Sequence, residues 1–344
     1  MTTNKRDTLR LGVVGVRNIG QSHLRNAAPL SGVTVTAVAD TDPDRLEGVA
    51  QEFEVGRTYD SAEALFASSE VDAVVLAVPN HLHATFTIQA LDAGKHVLVE
   101  KPLARSVEEA EAMIDARDRA GKVLMVSMNQ RFQAAVPGLR EVISSGELGP
   151  ISHVRARWTP RRVWEGLWQR GDWGLDPDLS GGGPLLDLGV HKLDLALHLL
   201  DFPEVKSVTG MCSYGIGKMI GEKRGKDYRI EDSAIGLLRL ADGSSLLLQA
   251  AYFFSGPDAD RNEILIHCDD GYVKNHEAFR VDEEGNVTPY ALPEVTGPDT
   301  ALEHFCRVVR GQSTLMATAE QGLQALRIVE AVYESARTGR QVDL

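Results

Sequence analysis

The chain has 344 residues, 43% of them hydrophobic and 25% charged, and its formal net charge is −13. This length favours two domains, and the acidic balance argues against a nucleic-acid partner, because such partners require basic surfaces. The longest apolar runs, 71–79 and 246–254, are too short to cross a bilayer. The first ten residues lack the apolar stretch of a signal peptide. The three cysteines show neither disulfide nor metal-site spacing, so we expect a cytoplasmic protein without a metal.

The first third of the chain alternates short apolar runs with helical patterns. Strands are predicted at 9–14, 33–39, 71–78, 96–99 and 123–127, and helices end at 28, 93 and 120. Continuously apolar strands that alternate with helices are typical of a parallel sheet covered on both faces. Right-handed crossovers make such a sheet doubly wound. The pattern therefore predicts an α/β domain of the Rossmann type over residues 1–130.

The pattern changes after residue 130. A helix is predicted at 136–145, and strands at 151–158, 205–214, 233–240, 244–254 and 263–267, with a hairpin turn at Asp242-Gly243. A helix at 184–200 covers this sheet, 215–229 forms a loop, and an amphipathic helix spans 319–336. We expect an α+β domain over 131–344 with a large, open, mostly antiparallel sheet. Its second face needs a cover, which predicts a homodimer or homotetramer through the open sheet.

A glycine turn, Gly15-Val16-Arg17-Asn18-Ile19-Gly20, joins the first strand to the first helix. Small residues at such a turn let the backbone approach a pyrophosphate, and the exposed N–H groups of the helix bind the anion. The motif is imperfect, since Arg17 occupies the second glycine position. An ordinary strand–helix turn remains an alternative.

Asp40 ends the second predicted strand, 20 residues after Gly20. An acidic residue at this position accepts hydrogen bonds from the adenosine ribose hydroxyls and repels a 2′-phosphate. This favours NAD over NADP, although the nearby Arg45 could accommodate a 2′-phosphate. The alternative is a turn acid in the segment 40–43.

Polar side chains also follow two later strands. Val78-Pro79-Asn80-His81-Leu82-His83 follows one strand, and Glu100-Lys101-Pro102 follows the next. Ligands of doubly wound sheets bind outside the carboxyl ends of the strands. Lys101 is therefore placed to act on a substrate, the alternative being a solvated lysine paired with Glu100.

The stretch from Ser180 to His191 begins with three glycines and enters a helix at Pro184. Asp187, His191, Asp194 and His198 then recur at helical spacing and share one face. Three interpretations are open for this face: a solvated stripe, a metal site, or acid–base chemistry by a histidine beside a carboxylate. A nearby Lys101 would oppose a metal.

Two stretches, VPNHLHATFTIQALDAGKHVLVEKPLA at 78–104 and GGGPLLDLGVHKLDL at 181–195, resemble the glucose–fructose oxidoreductase / inositol dehydrogenase / rhizopine catabolism (Gfo/Idh/MocA) family. The similarity extends from about residue 11 to the closing SARTGRQVDL. The resemblance implies an N-terminal Rossmann domain that binds NAD or NADP. It also implies a substrate domain with a large open sheet, and a C-terminal helix that packs back near the first domain.

The resemblance also implies roles for individual residues. Lys101, Asp187 and His191 match the family's catalytic set. Together with the glycine turn and the strand ends, it implies cofactor contacts from Gly15, Arg17, Asn18, Ile19, Asp40, Pro79, Asn80, His83, Glu100, Lys101 and Asn129. It implies substrate contacts from Lys101, Arg131, Asp187, His191 and Asp194. Arg17 departs from the small residue that is common in the family's loop.

The predicted chemistry is hydride transfer between nicotinamide and a hydroxyl of a sugar, cyclitol or related polyol bound between the domains. His191 accepts the hydroxyl proton, Lys101 stabilises negative charge on the same oxygen, and Asp187 orients His191 or a neighbouring hydroxyl. Trp168 is a candidate to stack on the sugar, as are the other three tryptophans, 158, 164 and 173; a core or interface role is the alternative for each. Two other functions remain open: NAD-dependent glycoside cleavage without net redox, and a dinucleotide-binding sensor without catalysis.

Overall fold

The computed structural model describes residues 8–160, 167–168, 170–256, 259, 261–297 and 300–344. These residues form two compact units, one built from Met1–Asn129 and Pro298–Leu323, the other from Gln130–Gly297 and Gln324–Leu344. The stretch 298–323 therefore belongs to the first unit, whereas the division made from the sequence assigns it to the second. No helix among the described residues has both the length and the apolar content to cross a membrane.

The first unit contains a six-stranded parallel sheet in the order β3-β2-β1-β4-β5-β6. Its elements are β1 (Leu9–Val14), α1 (Asn18–Ala27), β2 (Val33–Ala39), α2 (Pro43–Glu52), β3 (Arg57–Tyr59), α3 (Ala62–Phe66), β4 (Ala73–Leu76), α4 (His83–Asp92), β5 (His96–Glu100), α5 (Val107–Ala120) and β6 (Leu124–Ser127). Every residue of β4 is buried, as are all of β1 except Arg10 and all of β5 except His96, which explains their mainly apolar sequences. The order reverses between β1 and β4, where doubly wound sheets bind ligands. The predicted fold class is confirmed.

Three elements that were not predicted, α2, β3 and α3, lie between the second and third predicted strands. Asp42 caps α2, because its side chain accepts a hydrogen bond from the Arg45 N–H, and Pro43 occupies the first helical position. The segment 40–43 is therefore a helix start as well as a turn. β3 is an edge strand of three residues, too short to show an alternating pattern.

The second unit contains a nine-stranded sheet in the order β14-β13-β12-β11-β7-β10-β9-β8-β15, in which only β7 and β10 pair in parallel. The first of its elements are α6 (Val136–Ser145), β7 (Ile151–Thr159), α7 (Pro177–Ser180), α8 (Val190–Leu199), β8 (Val205–Ser213), α9 (Ile216–Lys223), β9 (Ser233–Leu240), β10 (Ser245–Ala251), β11 (Arg261–Cys268), β12 (Gly271–Lys274), β13 (Glu277–Val281) and β14 (Val287–Tyr290). The predicted hairpin at Asp242-Gly243 joins β9 to β10, with Gly243 at φ +91°.

The predicted loop at 215–229 is wrong in its first half, where the chain forms α9. The Asp232 carboxylate accepts hydrogen bonds from the N–H groups of Ile216 and Gly217, at 2.7 and 2.8 Å. This capping comes from a residue 15 positions further along the chain, so the local glycine and charge content gave no sign of it.

The last elements are α10 (Ala301–Val309), α11 (Ala319–Thr338) and β15 (Val342–Asp343). α10 packs against α1, β5 and β6 in the first unit. In the second unit, Val332 of α11 packs on Gly210 and Gly236, so this helix and α8 lie on the same sheet as covers.

Candidate active site

The glycine turn after β1 is dictated by close packing. Gly15 has φ +83°, and a Cβ there would lie 2.4 Å from the carbonyl oxygen of Ala77, in the segment after β4. A Cβ on Gly20 would lie 1.9 Å from the carbonyl oxygen of Gly15. Both positions therefore exclude every larger residue, and the turn brings the start of α1 against the neighbouring strand end.

The N-terminus of α1 is open. Arg17, Asn18 and Ile19 are exposed, and the first turn contains neither a capping side chain nor an acidic residue. The N–H groups at a helix start lack intrahelical partners and carry partial positive charge. This end of the helix therefore suits a phosphate group.

Asp40 is tied to the same turn. Its Oδ2 accepts a hydrogen bond of 2.9 Å from the Val16 N–H, and its Oδ1 accepts from the Asp42 N–H and from Arg45 Nη1, at 3.1 and 3.0 Å. The side chain is 8% exposed. Asp40 thus fixes the glycine turn, and Arg45 lies beside the position where a ribose 2′ group would be read.

His83 joins the ends of two strands. Its ring is fully buried, with Nδ1 2.7 Å from the carbonyl oxygen of Pro102 and Nε2 2.9 Å from that of Val78. Burial lowers the pKa of His83, although both carbonyl contacts oppose this. The side chain therefore connects the segment of Pro79 and Asn80 to the segment of Lys101, a role that sequence reasoning did not assign.

Glu100 lies in a buried ion pair rather than facing open solvent. Its Oε1 is 2.8 Å from His23 Nε2, and its Oε2 accepts a hydrogen bond from the Lys101 N–H at 3.3 Å. Burial opposes the carboxylate charge, but the hydrogen bond and the charge of His23 outweigh it and lower the pKa of Glu100 to about 2. Lys101 is half-buried, and its positive charge also contributes to the lowered pKa of Glu100.

In the second unit, the three-glycine run is shaped by Glu231 and Tyr333. The Glu231 carboxylate accepts hydrogen bonds from the N–H groups of Gly183 and Leu185, at 2.8 and 3.1 Å, and from the Tyr333 hydroxyl at 2.9 Å. A Cβ on Gly182 would lie 2.2 Å from that hydroxyl. Burial raises the pKa of Glu231 even though all three donors favour the charged form.

The residues after this run, Leu185–Gly189, form a π-helical turn that continues into α8. Asp187 lies in this turn and is 5% exposed. Its Oδ1 accepts a hydrogen bond from Arg170 Nη2 at 2.6 Å, and its Oδ2 accepts from the Tyr252 hydroxyl at 2.8 Å. Such turns often occur at functional sites, and here both carboxylate oxygens have a fixed direction.

His191 is the second residue of α8, which continues from the π-helical turn. Its ring lies 5.5 Å from the Trp158 ring, centroid to centroid. Trp158 in turn packs against a buried cluster that includes Leu188, Tyr228 and Tyr252. The imidazole therefore stands next to an aromatic surface, within one helical turn of Asp187.

Farther along α8, Asp194 and Arg131 form an ion pair in which each side chain is 1% exposed. The guanidinium also lies 4.8 Å from the Phe202 ring centroid. His198 is 4% exposed, and burial together with Arg131 and Arg140 lowers its pKa to about 3. The solvated-stripe interpretation is therefore wrong. The described residues contain no cluster of three or more His, Cys, Asp or Glu side chains that could hold a metal.

Two protein-family models match the sequence and agree with this geometry. Residues 9–128 match the model of the Gfo/Idh/MocA oxidoreductase family, NAD-binding Rossmann fold, and residues 140–344 match that family's C-terminal alpha/beta domain. The chain belongs to the Gfo/Idh/MocA oxidoreductase family. It is an enzyme that uses a nicotinamide dinucleotide.

Curated relatives of this oxidoreductase match it along nearly its whole length. A D-glucoside 3-dehydrogenase of Escherichia coli strain K12 is 30% identical, covering 98% of this chain and 97% of the relative. A D-xylose 1-dehydrogenase (NADP(+)) of Haloferax volcanii is 28% identical, covering 98% and 100%. Both relatives are dehydrogenases of sugars or sugar derivatives.

Solved structures share the fold. The NAD-binding protein from Listeria innocua superposes with a TM-score of 0.80 at 27% identity, covering 98% of this chain and 97% of that one. The aldose–aldose oxidoreductase from Caulobacter crescentus gives a TM-score of 0.83 at 24% identity, covering 98% and 100%. The second likeness concerns the fold alone.

The remaining residues predicted to contact the cofactor or the substrate lie in both units of this oxidoreductase. Asn129 is exposed at the end of the first unit, directly after Met128. Trp168 is half-buried and packs against the same cluster as Trp158. Trp164 lies outside the described residues. The predicted roles of these side chains, and of Arg131 and Asp194, remain predictions.

Three site-shaping residues of this oxidoreductase escaped the sequence analysis. Glu231, Tyr252 and Arg170 hold the Gly-rich run and Asp187, yet they lie 17 to 65 positions from the residues they bind. No local pattern connects positions so far apart.

Proposed function

We propose that this enzyme transfers a hydride between a nicotinamide dinucleotide and a secondary hydroxyl of a sugar, cyclitol or related polyol, or the corresponding ketone. The observation that carries the proposal is the near full-length similarity to the D-glucoside 3-dehydrogenase. Two acid–base side chains, the buried Asp187 and the half-buried His191 beside Trp158, support the same chemistry.

The first unit fits the dinucleotide. A pyrophosphate would bind at the N-terminus of α1. It would lie beside the glycine turn, where Gly15 and Gly20 have no room for a side chain. The Asp40 carboxylate would accept hydrogen bonds from the ribose hydroxyls, which favours NAD over NADP. Pro79, Asn80 and Lys101 would contact the nicotinamide end. When bound, this group supplies the hydride acceptor.

The reaction assigns a task to each catalytic residue. His191 takes the proton from the substrate hydroxyl, since imidazole accepts protons near neutral pH. The Lys101 ammonium donates a hydrogen bond to the same oxygen and stabilises its developing negative charge. Asp187 is oriented by hydrogen bonds from Arg170 and Tyr252, and it fixes His191 or a neighbouring hydroxyl. In the reverse reaction the same groups return the proton.

Kinetics of Lys101→Ala and His191→Ala variants test this assignment. Each variant should still bind NADH, measured by fluorescence, and lose at least a hundredfold in kcat on a panel of sugars, cyclitols and polyols. The double variant should lose less than the product of the two single losses, because both groups act on one proton transfer. Lys206→Ala, at an exposed position, is the control. Full activity of either single variant would refute the assignment.

The same panel separates the alternative functions. Substrate consumption without NADH accumulation would indicate glycoside cleavage without net redox, and NADH binding without any turnover would indicate a sensor. No observation in the described residues favours either. Lys101, Asp187 and His191 are all present, and a sensor has no need of them.

We propose further that copies of the enzyme pair through the outer face of the nine-stranded sheet. Met211 and Ile235 are cross-strand neighbours on this face and are 72% and 40% exposed, and Leu237 is 50% exposed. A patch of this kind marks an interface. The Ile235→Lys, Leu237→Lys double variant should shift the mass measured by light scattering to that of a monomer.

The free thiols of Cys212, Cys268 and Cys306 support a cytoplasmic location.

A further inference from the structure

Lys192 is a buried cation in the second unit. It follows His191 directly in α8, and its side chain lies on the helix face of Leu188 and Leu195, with 6% of the residue exposed. Burial alone shifts its pKa, which falls to about 8; neither a carboxylate nor a hydrogen-bond acceptor among the described residues compensates it.

Other buried cations of the chain differ from Lys192 in this respect. Lys95 donates hydrogen bonds to the carbonyl oxygens of Ser68 and Val71, at 2.7 and 2.8 Å. Arg131 pairs with Asp194, and Arg170 pairs with Asp187. A buried charge without such a partner is strongly disfavoured. Among the described residues the Lys192 ammonium contacts the Trp158 ring, so a ligand that carries negative charge would suit this position.

The surroundings of Lys192 suit a sugar ring. Its Nζ lies 5.9 Å from the Trp158 ring centroid, and the same ring is the neighbour of His191. Trp168 packs against the same aromatic cluster, and its Nε1 is buried without an acceptor among the described residues. Arg224 lies over the Trp168 ring, at 4.9 Å from its centroid. Among the described residues, the Lys192 ammonium and the Trp168 indole N–H are thus donors without an acceptor, and Trp158 places an aromatic face beside both Lys192 and the proposed proton acceptor.

We propose that Lys192 binds a carboxylate of the substrate, and that the enzyme acts on sugar acids in preference to neutral sugars. A carboxylate supplies the missing negative charge and accepts a charge-assisted hydrogen bond, whereas a neutral hydroxyl supplies only the acceptor. Trp158 contacts the ring of the sugar acid, and its carboxylate lies on the Lys192 side of that ring. This inference rests on the proposed function, because it names the substrate class of the same site.

Two pairs of compounds test the proposal: methyl β-D-glucuronide against methyl β-D-glucoside, and D-gluconate against D-glucitol. Each pair differs at a carboxylate that replaces a CH₂OH group. Binding is measured by calorimetry on the full chain loaded with NADH, at pH 7. At least one acid should bind tenfold or more tightly than its neutral twin. If neither acid does so, the proposal is wrong.

Substitution of Lys192 completes the test. Lys192→Met keeps the length and apolar stem of the side chain, and it should reduce the acid preference to within twofold while the affinity for the neutral twin changes little. Lys192→Arg should retain part of the preference, and it remains informative if the methionine variant does not fold. Lys218→Met, at an exposed position of α9, is the control and should keep the full preference. An acid preference that survives in Lys192→Met would overturn the assignment.

Turnover on the same pairs separates this inference from the proposed function. If the acids bind as expected but neither is oxidised, the carboxylate site stands and the proposed function fails. If the neutral sugars are oxidised and the acids are not preferred, the proposed function stands and the carboxylate site fails.

Discussion

The hydroxyl of Tyr252 donates a hydrogen bond of 2.8 Å to Oδ2 of Asp187, across 65 residues of sequence. Burial raises the pKa of Tyr252 well above its ordinary value, so the hydroxyl keeps its proton and remains a donor at every pH of interest. Together with Arg170, it leaves Asp187 with one orientation.

Tyr252→Phe removes this donor and keeps the ring in the aromatic cluster. One lost hydrogen bond to a charged group corresponds to about 1.5–3 kcal/mol, so we expect kcat to fall roughly tenfold or more with an unchanged Kd for NADH. Steady-state kinetics and NADH fluorescence measure both quantities. Tyr272→Phe, on the second sheet, is the matched control. An unchanged kcat in Tyr252→Phe would mean that Asp187 needs no orientation.

Glu231→Ala should destabilise the second unit. The change leaves the N–H groups of Gly183 and Leu185 and the Tyr333 hydroxyl without an acceptor, at a cost of about 1–3 kcal/mol each. We expect a lower Tm by calorimetry and a lower kcat, because the Gly-rich run positions Asp187. Tyr333→Phe removes one of the three bonds and should give a smaller drop. Equal Tm values for Glu231→Ala and the wild type would contradict this account.

His83→Ala should weaken cofactor binding through the strand ends. The ring contacts the carbonyl oxygens of Val78 and Pro102, and its removal frees both segments and opens a cavity. We expect Kd for NADH to rise several-fold and stability to fall by about 2 kcal/mol. His276→Ala, at an exposed position, controls for the loss of a histidine. Tight NADH binding by His83→Ala would show that the two segments hold their places without it.

Asp40→Ser should change the choice of cofactor. The carboxylate disfavours a 2′-phosphate and also pairs with Nη1 of Arg45, so its removal frees Nη1 for the phosphate while Nη2 stays paired with Asp42. We expect NADPH to bind about tenfold more tightly, a change of about 1.4 kcal/mol, and NADH to bind more weakly. Fluorescence titration of both cofactors measures this. Asp42→Ser is the matched variant, and an unaltered NADPH-to-NADH ratio in Asp40→Ser would argue against Asp40 as the discriminating residue.

Stability should fall as the pH is lowered below about 6.5. The pKa of His198 is about 3 in the folded chain and about 6.5 in the unfolded chain. Between these values the unfolded state binds the extra proton, so acidification favours unfolding. From pH 7.5 to 5.0 this one group costs about 2 kcal/mol, and urea unfolding of His198→Gln should show that much less loss than the wild type. An identical loss in both proteins would assign the acid sensitivity to other groups.

Patterns within short stretches made the first unit predictable. β1, β4 and β5 show mainly apolar sequences because both faces of the sheet are covered. Gly15 and Gly20 are recognisable because a helix that starts so close to a strand allows no side chain. Asp40 follows from the same geometry, since it lies at the end of a strand next to that turn.

The rest of the site depends on contacts between distant positions. Asp187 and His191 were recognisable from the sequence, but nothing near them indicates that Arg170, Tyr252 and Glu231 hold them. Lys192 shows the same limit, because an ordinary helix of a similar sequence would place a lysine in solvent. The burial of the Lys192 ammonium away from any described carboxylate depends on the packing of β7 and the aromatic cluster, which no local pattern encodes.

The first unit is built from two separate stretches of the chain, and this has a consequence for its synthesis on the ribosome. Its sheet ends at β6 with residue 127, yet Ala317 accepts a hydrogen bond from the Val126 N–H, and α10 packs against β5 and β6. A nascent chain that has just completed β6 lacks these partners until nearly 200 further residues have been translated. The dinucleotide-binding unit therefore reaches its native form only after the intervening second-unit residues have left the exit tunnel. The unit whose synthesis starts first is thus not the first that can complete its fold.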